Sequence, residues 1–202
     1  MPNQTPWEKE PDLPALKHAY DLITNDEVAA VNELTELANR GSQMSLVYLG
    51  NLYRKGQGRI PANPDEAEKW YRKAADRNLT VGVFHLSILC MNENRYDESE
   101  QLLKKAADRE YSPAIYWLAR LYWKGPANLR NLDKARELLE RASDRGHIWA
   151  SRDLARGYLN GALGFHPLKS ALFFLRGAIK FMQVYQSDPK SQRLQRDGAW
   201  AE

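Results

Sequence analysis

Cysteine is almost missing. Cys90 stands alone in 202 residues, so no internal disulfide can form and nothing points to an oxidising compartment. Charge of one sign is missing too. The net charge is +3, far from the dense positive charge of a dedicated nucleic-acid binder. No long apolar run occurs. The most apolar stretch, Leu168 to Tyr185, is interrupted by Lys169, Arg176 and Lys180, which excludes a membrane-spanning helix. The opening residues, MPNQTPWEKEPDLP, have neither a basic n-region nor an apolar h-region, so they do not read as a signal peptide. The initial Met counts against one already removed, and the cytoplasm is the expected location. His18, His85, His147 and His166 lie on separate elements, with no HExxH and no second cysteine. Neither a metal nor a cofactor is expected.

What is present is repetition. YRKAADRN begins at Tyr71, LKKAADRE at Leu103, LERASDRG at Leu139 and LRGAIKFM at Leu175, with a weaker LTELANRG at Leu34. A recurrence every 32 to 37 residues marks a solenoid of helix pairs. The segments upstream align as well: SLVYLGNLY from Ser45, GVFHLSILC from Gly82, AIYWLARLY from Ala114 and ASRDLARGY from Ala150. Each has a small residue, a Leu four later and another small residue next. Residues four apart share a helix face, so the small ones admit a neighbouring helix and the large ones fill the gap. No strand-like alternation competes.

Capping chemistry marks the boundaries. Asn63-Pro64-Asp65-Glu66 places Asn at the N-cap, Pro at the first helical position and Glu at the third. Ser112-Pro113 is expected to open a helix in the same way, and Asn94 and Asn131 are N-cap candidates. Gly56, Gly125 and Gly161 follow first helices, and Gly41 and Gly146 follow second helices.

Ser45, Leu49, Gly50, Tyr53, Gly56, Gly58, Asp65, Ala67, Trp70, Ala74 and Ala75 together resemble the Sel1-like repeat, a relative of the tetratricopeptide repeat. The likeness is close there, good from Ala114 to Gly146 and weaker from Ala150 to Ala178. The copy at Gly82 has lost its glycine loop. The resemblance implies an all-α fold, a right-handed α-α superhelix of helix pairs. It also implies a non-enzymatic adaptor or scaffold whose partner is another protein. The expected boundaries are a flexible segment 1–11, a solenoid 12–186 and a polar tail 187–202. Within the solenoid, a degenerate leading pair 12–41 precedes repeats at about 43–78, 80–110, 112–146 and 148–186. The repeats end without an obvious cap, which also fits a piece of a longer protein.

No catalytic constellation stands out. KGQGR lacks the GxxxxGK[ST] spacing and ends a helix rather than following a strand, so it reads as repeat punctuation. The acidic clusters DEAE, DESE and KARELLE fall in first turns and on outer faces, where capping and solvation explain them. His85 reads as packed beside an apolar stripe, and Cys90, standing where the repeat has Tyr, as buried.

Function therefore rests on surfaces. First helices are expected to line a concave groove. The exposed positions would be Val47, Asn51 and Arg54; Phe84, Ile88 and Met91; Tyr116, Arg120 and Trp123; and Arg152, Arg156 and Leu159. Aromatic anchors beside Arg120, Arg152 and Arg156 suit a peptide or protein with apolar side chains and an acidic group. The competing readings are packing of these residues between repeats, or polyanion and nucleic-acid binding through the same arginines. A second surface is the last helix, with Lys169, Arg176 and Lys180 in one stripe and Phe173 beside it. It is a candidate cap, a site of self-association or partner docking, or a membrane-surface adaptor. Protein ranks ahead of nucleic acid and membrane as the partner.

Overall fold

The computed structural model describes residues 10–188. Among them are ten helices: α1 (Leu13–Asn25), α2 (Glu27–Asn39), α3 (Met44–Lys55), α4 (Pro64–Asp76), α5 (Thr80–Asn92), α6 (Tyr96–Asp108), α7 (Ser112–Lys124), α8 (Leu132–Asp144), α9 (Ile148–Leu159) and α10 (Pro167–Ser187). Beyond them the described residues hold only an isolated bridge between Gln57 and Ile60. The fold is an all-α solenoid of helix pairs, as the repeat predicts. Two compact units are distinguished, one reaching Glu93 with α1–α5 and one starting at Asn94 with α6–α10. Among the described residues no helix is long and apolar enough to cross a membrane. The expected N-terminal segment lies outside the described residues except for Glu10 and Pro11, and so does the expected tail after Asp188.

Helix starts follow the capping chemistry at Asn63 and Asn131. Their side-chain oxygens accept from the backbone N–H of Glu66 at 3.1 Å and of Lys134 at 3.0 Å. Asp12 and Asp26 cap α1 and α2 in the same way. Glu10 caps α3 from a distance, its Oε1 accepting from the N–H of Gln43 and of Met44. Two expectations need correction. Asn94 is not an N-cap: Arg95 takes that place, while Asn94 sits at φ +60° and accepts the Tyr96 hydroxyl. Asn tolerates the left-handed conformation, so the turn claims it before the helix does. Ser112 is already helical, with Tyr111 preceding it and no side-chain cap.

The second helices end alike. Arg40, Arg77, Arg109 and Arg145 are C-caps. The next residue, Gly41, Asn78, Glu110 or Gly146, takes φ between +59° and +102°. Side chains other than Gly or Asn pay for that conformation. At Glu110 the cost is offset by ion pairs with Arg141, at 2.6 Å, and with Arg145. These cations, the Arg141 hydrogen bond foremost, hold the Glu110 carboxyl below its usual range. Arginines also tie one second helix to the preceding one. Arg77 donates to the Ala38 carbonyl at 3.3 Å, and Arg141 to that of Ala107 at 3.1 Å. Each places a cation at the negative end of a helix.

The core rests on small residues in first helices. Gly50, Ser87, Ala119 and Ala155 are all buried, each directly after a buried leucine. In second helices Tyr71, Leu103 and Leu139 are fully buried. Leu175, equated with them in sequence, is 57% exposed. The last helix is turned differently: its buried residues are Ser170, Gly177 and Val184, each seven apart. It presents small residues to α9, and the Ser170 hydroxyl donates to the Ala155 carbonyl at 2.8 Å.

Helix approach is close where α4 meets α5. A Cβ on Gly82 would come closer than 3.0 Å to the Cβ of Ala74, with α4 backbone just behind. Neither can swing aside, so Gly82→Ala is expected to destabilise by about 1–3 kcal/mol despite the better helix propensity of Ala. The measurement is the urea unfolding midpoint; an unchanged or higher midpoint would contradict close packing at this crossing.

Candidate protein-binding surface

The sequence-derived groove residues divide by burial. Val47, Phe84 and Tyr116 are buried at 2%, 1% and 0% exposure, and Ile88 is buried as well. This corrects the expectation that these positions face solvent. Phe84 and Ile88 belong to α5, of whose thirteen residues nine are buried, so no face of that helix stays open within its central turns. Tyr116 is covered by the next first helix. Its hydroxyl donates to Asp153 Oδ2 on α9 at 2.9 Å, and its ring stacks on His147 at 4.3 Å between centroids. None of these three offers an anchor to a partner. Asn51, Arg54, Met91, Arg120 and Trp123 are half-buried, while Arg152, Arg156 and Leu159 are exposed.

The accessible part of the set in the second unit is therefore arginine-rich. Arg152 and Arg156 stand four residues apart on one face of α9. Arg120 stands one turn beyond Tyr116 on α7. The Tyr116–Asp153 bond thus ties the arginine-bearing face of α7 to α9 beside Arg152. The Arg120 guanidinium lies 4.5 Å from the Trp117 ring centroid and that of Arg152 5.3 Å from the Trp149 ring. Aromatic faces hold these cations without neutralising them. Nη1 of Arg120 is shielded from water and makes no hydrogen bond among the described residues.

The KGQGR loop is already filled. Gln57 and Ile60 exchange backbone hydrogen bonds at 2.8 Å, and the Arg59 N–H donates to Glu27 Oε1 at 2.6 Å. That bond, with the Arg59 guanidinium, holds the Glu27 carboxyl below its usual range. The Arg59 N–H and guanidinium are thus already engaged by a protein carboxylate. Cys90 is buried, as expected from its position. His85 is buried too and stacks on Tyr71 at 5.4 Å. Among the described residues no three His, Cys, Asp or Glu side chains converge as metal ligands would.

On the last helix the residues expected as a second surface also contact their own unit, while Lys169 and Arg176 stay exposed. Lys169, Phe173, Arg176 and Lys180 mark the edge along which α10 meets its own unit. Lys169 lies 5.6 Å from the Tyr158 ring centroid, and Phe173 stacks on the same ring at 5.9 Å. Arg176 pairs with Asp144 at 2.6 Å, and the Lys180 stem passes against Gly146. The apolar face is open as well, with Lys169 and Arg176 exposed along its flank. Sequence reasoning missed Tyr158, which organises this edge. Its hydroxyl donates to Glu140 at 2.6 Å, and burial, then that carboxylate, pushes the phenol up to about 12. Its place in the repeated Leu-small-x-x-Tyr pattern was the available signal.

With this geometry in view, the comparisons are direct. The family model of the Sel1 repeat matches residues 43–79 and 112–147, the α3–α4 and α7–α8 pairs. Among solved structures it is similar to a Sel1 repeat protein from Oxalobacter formigenes, with a TM-score of 0.66 and 22% identity over 80% of this chain and 70% of that one. It is also similar to immunity protein Pa5087 from Pseudomonas aeruginosa, with a TM-score of 0.60 and 20% identity over 98% and 82%. Immunity protein PA5088 of the same organism follows, with a TM-score of 0.56 and 19% identity over 98% and 82%. Likeness at these identities is likeness of fold. No curated protein matches the sequence.

Two predictions follow from the buried tyrosines. Tyr116→Phe removes the donor to a carboxylate that is 3% exposed and is expected to cost about 1–3 kcal/mol in urea unfolding. The Tyr158 phenol has a raised folded pKa, and burial raises that of Tyr71 as well. Their contribution is complete below an unfolded pKa of about 10 and is lost as pH climbs through the folded value. Stability should hold to about pH 9.5 and fall between about pH 10 and 12, a fall that Tyr158→Phe makes shallower in alkaline unfolding titrations.

Proposed function

We propose that the chain is a non-enzymatic protein-interaction module. Its second unit receives an acidic segment of a partner on Arg120, Arg152 and Arg156, with half-buried Trp123 as the adjoining aromatic contact. One observation carries this reading. Arg95, Arg136, Arg141, Arg145 and Arg176 of the same unit each pair with a carboxylate. Among the described residues no such pair forms at Arg120, Arg152 or Arg156. A guanidinium held on an aromatic face keeps its donors for an incoming carboxylate, which it can meet in bidentate geometry. Sel1-repeat proteins generally bind other proteins, and the present reading adds the acidic character of the segment.

The test is recovery of a partner from the native host's lysate. Wild type is compared with Arg152→Glu/Arg156→Glu, whose two positions are exposed and whose fold is checked by circular dichroism. Arg120→Gln is measured separately, because its stem packs on Trp117. A protein held by the wild type should lose at least about tenfold in affinity to the double variant, as expected when charge pairs at an interface are reversed. Equal recovery by both would overturn the arginine surface. Recovery of nucleic acid, with affinity falling steeply as salt rises, would replace the protein reading by the polyanion one.

A further inference from the structure

α10 is 21 residues long, whereas the other nine helices have 12 or 13. Its two faces differ. Ser170, Gly177 and Val184 pack inward. Leu168, Leu172, Leu175, Ile179 and Met182 point the other way and are between 51% and 87% exposed. They are spaced four, three, four and three apart, the a/d rhythm of a helix seam, with Leu172 and Ile179 at a and Leu168, Leu175 and Met182 at d. We propose that this seam is the contact between two copies of the chain, related by a two-fold axis and paired α10 to α10.

Three observations favour a second copy over other occupants. The first is area. The five seam side chains present on the order of 500 Å² of apolar surface, so two copies together bury on the order of 1,000 Å², the size a specific interface has to clear. A patch of that size marks an interaction site. The second is charge. α10 contains no Asp or Glu, and Arg176 and Lys169 are drawn to Asp144 and Tyr158 of their own unit. The a and d positions are uncharged, so two identical seams do not repel. The third is preorganisation. Two heptads in isolation would have to pay for forming the helix, but α10 is already folded onto α9. Ile179 at a beside Leu175 at d is the combination that favours two strands. A self-pairing seam is also self-complementary, as a two-fold interface requires.

The experiment is sedimentation velocity on the full 202-residue chain from about 1 to about 100 µM, the range in which pairs of this area associate. The wild type is expected at twice its 23.2 kDa chain mass. Leu172→Glu/Ile179→Glu is expected at the monomer mass with an unchanged circular dichroism spectrum, since both side chains are more than half exposed. If the double variant does not match the wild-type spectrum, Ile179→Lys alone serves. A wild-type monomer over the whole range would overturn the proposal. If that monomer floated with anionic vesicles, the face would belong to a membrane surface. A dimer that survives the variants would also overturn it, since the contact would then lie elsewhere.

Discussion

Everything in this molecule depends on how closely paired helices can approach. Gly50 admits the Tyr71 ring, and Gly82 admits Ala74. Tyr71 is then positioned to donate its hydroxyl to Asn51 at 2.7 Å and to stack on His85. The small residue is thus more than space: it brings a large polar aromatic close enough to satisfy its hydroxyl inside the unit, where an unmade bond would be expensive. Tyr158 and Tyr116 repeat the solution with Glu140 and Asp153. Apolar burial and polar satisfaction are set by the same crossing geometry.

Once the helices are seated, surface charge follows a simple division. Carboxylates near the ends of second helices are taken by arginines of the following repeat, as Glu110 is by Arg141 and Asp144 by Arg176. Charges used this way hold neighbouring repeats in register and offer nothing to a partner. Arg120 of α7 and Arg152 of α9 lie outside that scheme, resting on indole rings instead. The outward face of α10 lies outside it as well, having no charge to commit. The two surfaces differ in kind, one cationic and one greasy, so they suit different occupants and need not compete.

Most of the fold was legible in the sequence because it is local. Glycine punctuation and the caps at Asn63 and Asn131 depend on residues within one turn of each other, and the period is the recurrence of such local signals. The capping of α3 by Glu10 was not legible, because its acceptor comes from more than thirty residues away. Burial at the groove positions was misread for a related reason. Periodicity assigns Tyr116, Phe84 and Ile88 to a face, but does not say whether another helix lies over it. Arg152 and Arg156 of α9, by contrast, are exposed. The stripe on α10 was seen, but not its ties to its own unit: Arg176 and Lys169 stay exposed while pairing with Asp144 and lying over the Tyr158 ring.

The ties between repeats all close over similar distances along the chain: 37 residues from Tyr116 to Asp153, 39 from Arg77 to Ala38, 34 from Arg141 to Ala107. None of them waits for a distant part of the sequence. A chain emerging from the ribosome can therefore complete each tie as soon as one further repeat has been synthesised, so that structure accumulates in the order of translation. Chains whose contacts are this local fold quickly, and little unfinished apolar surface is carried from one step to the next.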